Sequence, residues 1–184
     1  MKVLLDTCAL IWFLRDDPEI SQKAAQLIEE PNTDAFISVV SIWEIAIKAS
    51  IGKISAPIGF HDSLKDRLNA SGFNILPVEF NHASGVSSLP NVHSDPFDRL
   101  LISQCKAEKL TAITNDAHWI DPRYDVPVFW QTGVKLPQLA TSSVRSPTSR
   151  WSYLLICRRS RHHRCLRSDQ SQLSLGVSHA EFAH

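Results

Sequence analysis

Short apolar runs alternate with stretches of helical period along the first 130 residues. The runs that predict strands are residues 3–5, 35–38, 73–78, 111–114 and 126–130. Patterns with an apolar face predict helices near 10–14 and over 21–30, 41–49, 60–70, 80–89 and 96–109. Because short strands alternate with helices, the pattern predicts an α/β fold, with a parallel sheet of about five strands and helices on both faces.

Two of these elements carry further information. The helix over 41–49 is apolar almost all round, which predicts that it is buried, and Glu44 is its one acidic residue. Pro77 lacks a backbone N–H and therefore predicts that the third strand lies at an edge of the sheet or ends there.

Charge divides the 184-residue chain into two parts. Residues 1–136 hold 17 acidic and 12 basic residues, a net charge of −5, and residues 137–184 hold 2 acidic and 7 basic residues, a net charge of +5. The first part lacks a basic surface for nucleic acid, so a polyanionic substrate would need bound cations to approach it. The second part contains ten Ser and seven Arg, and we expect a mostly disordered tail over 137–184 after a domain over 1–136.

The cysteines and the amino terminus favour a cytoplasmic location. Four scattered cysteines do not form a disulfide framework. The amino terminus reaches Asp6 after three apolar residues, which is unlike a signal peptide. No apolar run approaches the roughly 20 residues of a membrane span. We therefore expect a soluble protein without a membrane partner.

Acidic residues follow the predicted strands or begin the helices beside them. Asp6 and Asp116 come after the first and fourth strands, Glu44 lies on the helix after the second, and Asp95 and Asp98 begin the helix over 96–109. Carboxyl ends of parallel strands meet at one edge of the sheet, where ligands bind. Carboxylates gathered there repel one another unless a cation lies between them. Oxygen ligands of this kind favour Mg²⁺ or Mn²⁺.

Three of these acids also have an ordinary structural explanation. Asp6 fits a helix N-cap, and Glu44 fits a capping box with Ser41 or an ion pair with Lys48. Asp95 fits an N-cap with Pro96 at the first helical position, which leaves Asp98 free to project toward the strand edge. Thr7 and Thr114 either orient waters beside the acids or serve as capping and strand residues.

Other hydrolase and metal patterns fit poorly. A phosphatase of the haloacid dehalogenase type would carry a second Asp where Cys8 stands. A glycine-rich phosphate loop and a His-Glu-x-x-His motif are both missing from the sequence. Cys157, His162, His163 and Cys165 resemble a zinc set only in residue type, because no folded context is predicted around them.

Four sequence blocks together resemble a known family. They are Leu4-Leu5-Asp6-Thr7, Ser41-Ile42-Trp43-Glu44-Ile45-Ala46-Ile47-Lys48, Asp95-Pro96-Phe97-Asp98-Arg99-Leu100-Leu101-Ile102 and Thr114-Asn115-Asp116. In order and spacing they are similar to PIN-domain ribonucleases, and more narrowly to VapC-type toxins of bacterial type II toxin–antitoxin pairs. The resemblance covers about residues 1–131. The tail has no counterpart in the family, and Cys8 stands where close relatives often carry His.

The resemblance implies a three-layer nuclease fold that cleaves RNA with Mg²⁺ or Mn²⁺. It also implies a homodimer and inhibition by a small cognate antitoxin. On this basis Asp6, Glu44, Asp98 and Asp116 are the expected catalytic and metal-binding acids, with Asp95 as an adjacent metal-binding acid. Two alternatives stay open, namely a PIN-like module that binds a partner or RNA without cutting it and a structure-specific DNA nuclease.

Overall fold

The computed structural model describes residues 1–57 and 59–130. The tail expected over 137–184 lies outside the described residues, and its boundary stays a prediction. All the structural statements below concern the described part of the chain.

Four parallel strands form one sheet in the described residues. They are β1 (Lys2–Leu5), β2 (Asp34–Ser38), β3 (Asn74–Leu76) and β4 (Thr111–Ile113). The order across the sheet is β3-β2-β1-β4, and each neighbouring pair is parallel. The predicted α/β fold with a parallel sheet is confirmed. β3 lies at an edge and ends directly before Pro77, as that proline predicts.

The expected fifth strand is reduced to one bridge. Val128 pairs with Ala112 in parallel, and the neighbouring hydrogen bonds are Ala112 N to Pro127 O and Phe129 N to Ala112 O, both 2.8 Å. Pro127 has no N–H to donate, and β4 itself is only three residues long. The described sheet therefore has four strands rather than about five.

Six α-helices and three short 3₁₀ segments connect the strands in the described residues. The helices are α1 (Thr7–Arg15), α2 (Gln22–Glu29), α3 (Val39–Ser50), α4 (Leu64–Ala70), α5 (Phe80–Gly85) and α6 (Pro96–Glu108). The 3₁₀ segments are Val86–Ser88, Ala117–Ile120 and Pro122–Tyr124. α4 begins four residues later than its sequence pattern predicts, because residues 60–63 form a turn after Gly59, whose φ is +74°.

Alternate residues of β1 face opposite layers. Val3 and Leu5 pack in a cluster that includes residues of α1, α2 and α4, whereas Leu4 packs in a second cluster with residues of α6. All three are fully or almost fully buried. The predicted placement of helices on both faces of the sheet is confirmed, and β1 lies at the centre of the three layers. No helix in the described ranges has the length and apolar character needed to span a bilayer.

α3 is not buried all round, and the prediction from its composition is wrong. Val39, Trp43, Ile47 and Ile51 are exposed, and Trp43 keeps 56% of its surface accessible. A spacing of four residues places these side chains in one stripe along the helix. Glu44 and Ile45 are buried on the other side. We call the four exposed residues the α3 stripe.

Candidate metal centre

The five predicted acids line one cavity at the carboxyl edge of the sheet. The cavity measures about 250 Å³ and is lined by Asp6, Thr7, Cys8, Trp12, Glu44, Lys48, Asp95, Asp98, Asn115 and Asp116. The acids come from the end of β1, from α3, from the start of α6 and from the loop after β4. Residues up to 110 positions apart in sequence are thus brought together by the parallel arrangement of the strands.

Asp6 caps α1 and is almost fully buried beside the cavity. Its Oδ1 accepts a hydrogen bond of 2.5 Å from the Ala9 amide, and the residue is 6% exposed. Burial raises the pKa of Asp6 from 3.8 to about 7, and the charges of Asp98 and Glu44 act in the same direction. Hydrogen bonds from Thr114 and Ala9 lower this pKa in part. Ionised Asp6 is therefore costly in the metal-free protein.

Asp95 and Asp98 occupy different positions at the start of α6, as the helix-start pattern predicts. Asp95 Oδ1 accepts a 2.8 Å hydrogen bond from the Phe97 amide, and Pro96 is the first residue of α6. Asp98 belongs to the first turn of α6. Burial, followed by repulsion from Asp95 and Glu44, raises the pKa of Asp98 to about 6, while His93 opposes the rise.

Glu44 is 5% exposed, and both its oxygens have partners. Thr7 Oγ1 donates to Oε2 at 2.5 Å, and the Lys48 ammonium pairs with Oε1. The sequence offered an ion pair with Lys48 as an ordinary explanation for Glu44, and the structure contains that pair. The capping box with Ser41 does not, because α3 begins at Val39 and its N-cap is Ser38.

Asp116 follows β4 and is held by two histidines. Its Oδ1 accepts from the His118 amide at 2.8 Å and lies 2.7 Å from His118 Nδ1. Its Oδ2 lies 2.9 Å from His93 Nε2. Burial alone would raise the pKa of Asp116, but the hydrogen bonds from His93 and His118 lower it below its ordinary value.

Sequence reasoning gave these two histidines no role. His93 precedes the Asp-Pro helix start by two residues, and His118 follows Asp116 by two, so a histidine two residues from an expected ligand was the available signal. In the described residues His93, Asp116 and His118 form a group whose potential ligand atoms lie within 4.8 Å of one another.

Thr7 and Thr114 both contact acids of the cavity. Thr7 donates to Glu44, and Thr114 Oγ1 accepts a 3.0 Å hydrogen bond from the Asp116 amide and bonds to Asp6. Both are almost fully buried. Their positions orient carboxylates directly, and the predicted role in orienting waters stays a prediction.

The donor set fits a hard divalent cation. Carboxylate oxygens predominate among the side chains that line the cavity, and burial is the main cause of the raised pKa values of Asp6 and Asp98. Burial raises the pKa of the Cys8 thiol to about 11, and Cys8 is the one sulfur-containing residue among the ten that line the cavity. The cavity therefore favours ions such as Mg²⁺ or Mn²⁺ over thiophilic metals.

A parallel α/β sheet with acids gathered at its carboxyl edge is an arrangement suited to binding a cation. The profile of the PIN domain matches residues 3–123, and the chain belongs to the PIN domain family. The resemblance recognised in the sequence is thereby confirmed. No curated protein sequence matches the chain.

Solved structures share the fold at low sequence identity. A chain of VapBC2 from Rickettsia felis, in a complex with a DNA fragment from its promoter, matches with a TM-score of 0.54 and 18% identity, over 70% of this chain and 98% of that one. VapBC-1 from nontypeable Haemophilus influenzae matches with a TM-score of 0.51 and 17% identity, over 70% of this chain and 97% of that one. FitAcB from Neisseria gonorrhoeae matches with a TM-score of 0.50 and 20% identity, over 70% of this chain and 96% of that one. These neighbours share the fold of the chain.

Proposed function

We propose that this PIN domain is a metal-dependent endoribonuclease of the cytoplasm and the toxin of a toxin–antitoxin pair. The observation that carries the proposal is the gathering of five carboxylates around one cavity, at least two of which have raised pKa values. Such an arrangement is unfavourable for an empty cleft and suits one that holds a cation. Membership in the PIN family supports the same conclusion.

Asp6, Glu44, Asp98 and Asp116 would hold Mg²⁺ or Mn²⁺, and Asp95 would add an oxygen while capping α6. A bound ion would polarise an attacking water and offset the charge that develops on the phosphodiester. Lys48 is the one cationic side chain among the residues that line the cavity, and its side chain is 36% exposed. Once the ion binds Glu44, the Lys48 ammonium is available to an approaching phosphate of RNA.

The proposal includes a small antitoxin and a second copy of the chain as partners. The structural neighbours VapBC2 and VapBC-1 support an antitoxin partner. The α3 stripe offers exposed apolar surface on a helix that also carries Glu44, and monomeric proteins seldom leave such surface uncovered. A homodimer through this stripe would cover it.

The test is cleavage of a structured RNA by the purified full-length protein. We expect cleavage with Mg²⁺ or Mn²⁺, loss of cleavage with EDTA, and loss of at least a hundredfold in rate for Asp6→Asn and Asp116→Asn. Asp62→Asn is the matched control, because Asp62 is an exposed acid that does not line the cavity. This variant should cut at the rate of the parent.

Two outcomes would favour the alternatives. Saturable Mn²⁺ binding is expected by calorimetry, and its absence would instead indicate a binding module without catalysis. Single-stranded and branched DNA should be tested at the same enzyme concentration, and faster cleavage of DNA than of RNA would indicate a DNA nuclease. Cleavage at parental rate by both acidic variants would refute the assignment of the site.

A further inference from the structure

His93 lies between two of the proposed metal-binding acids. Its Nε2 atom is 2.9 Å from Asp116 Oδ2 and 3.4 Å from Asp98 Oδ2. The side chain is only 10% exposed. Its ring also packs edge-on against His118, with centroids 5.1 Å apart. The proposed function assigns no role to His93.

The hydrogen bonds assign one tautomer to the neutral ring. Nδ1 lies 3.0 Å from the Asp95 amide nitrogen, and a backbone N–H can only donate. Nδ1 must therefore accept, so the ring proton is on Nε2. That proton is directed at Asp116 Oδ2, with Asp98 Oδ2 as the second acceptor nearby.

We propose that His93 is a positioning residue for the metal centre, which donates from Nε2 to Asp116 close to Asp98 and is not itself a ligand. The proposal rests on the proposed cation site. A neutral imidazole bound to a metal through Nε2 would carry its proton on Nδ1. Two donors would then face each other at the Asp95 amide, and the hydrogen bond at the start of α6 would be lost. The geometric group of His93, Asp116 and His118 is thus a carboxylate held between two donors.

The backbone of His93 is fixed by neighbours on separate elements. Its amide donates to the hydroxyl of the fully buried Tyr124 at 2.7 Å. Its carbonyl accepts from Arg99 Nη1 at 3.4 Å. The Arg99 guanidinium also donates to the carbonyls of Pro90 at 2.9 Å and Val86 at 3.0 Å, which ties the segment before His93 to α6.

This fixed donor has a definite effect on the acids. A proton held between Asp116 and Asp98 reduces their repulsion and keeps one oxygen of each turned in a set direction. Partners of this kind, which contact ligands rather than the metal, are commonly worth 10- to 100-fold in metal affinity. The rigid support from Tyr124 and Arg99 means that little freedom has to be lost when a cation binds.

Two amide substitutions separate the two nitrogens of the ring. The carbonyl of Asn reaches the place of Nδ1, so His93→Asn keeps the acceptor for the Asp95 amide but loses the donor to Asp116. The amide of Gln reaches the place of Nε2, so His93→Gln keeps the donor but loses that acceptor. His61→Asn, at an exposed histidine away from the cavity lining, is the control.

The readouts are Mn²⁺ affinity by calorimetry and urea unfolding in EDTA, both on the full chain. We expect His93→Asn to unfold near the parental urea midpoint and to bind Mn²⁺ about 10- to 100-fold more weakly. His93→Gln should bind within a few-fold of the parent at a lower midpoint. Equal weakening in both variants would identify His93 as a ligand, and no weakening in either would make its role purely structural; both results overturn the proposal.

Nitrogen-15 shifts of the imidazole supply a second readout. We expect the His93 ring to carry its proton on Nε2 in EDTA and in saturating Mg²⁺ alike. A move of the proton to Nδ1 on adding Mg²⁺ would contradict the proposal. If the parent shows no saturable Mn²⁺ binding, the proposed function fails and the positioning role fails with it. If the parent binds and the Asn and Gln variants do not differ, only the positioning role fails.

Discussion

Asp6→Asn should stabilise the metal-free protein while removing its metal site. Asp6 is almost fully buried, and its folded-state pKa is about 7 against an ordinary 3.8. That difference corresponds to about 4 kcal/mol between the protonated and ionised forms. Asn has nearly the same shape, carries no charge and caps helices about as well as Asp, so the bond to the Ala9 amide is kept.

The sign of the pH dependence follows from the raised pKa. The contribution of Asp6 to stability is fully present below about pH 4. It falls as the pH rises, because the unfolded state ionises first, and it is lost once the pH passes about 7. At pH 8 in EDTA, Asp6→Asn should therefore be more stable than the parent, by up to about 4 kcal/mol. Between pH 8 and pH 5 the advantage should shrink by about 3 kcal/mol.

The assay is urea unfolding of the parent and Asp6→Asn in EDTA at both pH values, repeated with saturating Mn²⁺. At a free concentration 100 times its dissociation constant, Mn²⁺ should raise the free energy of unfolding of the parent by about 2.7 kcal/mol. The variant should gain much less. Equal stability of the two proteins at pH 8 in EDTA, or an advantage that does not change with pH, would refute the reasoning.

Three further predictions concern neighbouring residues. Asp95→Ala should lower the free energy of unfolding by about 1 kcal/mol through loss of the α6 N-cap. Asp98→Asn should instead abolish cleavage without destabilising the protein. Equal loss of activity in both variants, with unchanged free energies of unfolding, would contradict this division of roles. Lys48→Gln should tighten Mn²⁺ binding several-fold by calorimetry, because the ammonium no longer competes for Glu44, and unchanged or weaker binding would contradict it. Trp43→Ser should weaken self-association in sedimentation experiments, and an unchanged sedimentation profile would exclude the α3 stripe as the dimer interface.

Features set by neighbours in sequence were predicted well. Asp95 followed by Pro96 defines a helix start by the chemistry of those two residues alone, and α6 begins at Pro96. Pro77 ends β3 because it lacks an N–H. The alternation of short apolar runs with helical patterns was sufficient for the α/β architecture, and the four acidic blocks for the family.

Features that depend on which surfaces meet were predicted poorly. The apolar residues of α3 are distributed round the helix, so composition could not tell which side packs inward, and the α3 stripe is exposed. The fifth strand depends on how far the chain after Tyr124 runs beside β4, and within residues 125–130 only Val128 pairs with it. Local patterns contain neither kind of information.

The sequence by itself determined the elements, the sheet type and the acids that lie at its carboxyl edge. Asp6 and Asp116 follow strands that must be parallel, and parallel strands end at the same edge. Only the tertiary structure decided the contacts between distant residues that hold the acids: Thr7 with Glu44 across 37 residues of chain, and His93 with Asp116 across 23. Such contacts arise from the packing of distant elements, and their hydrogen-bond geometry sets which nitrogen of His93 carries the proton.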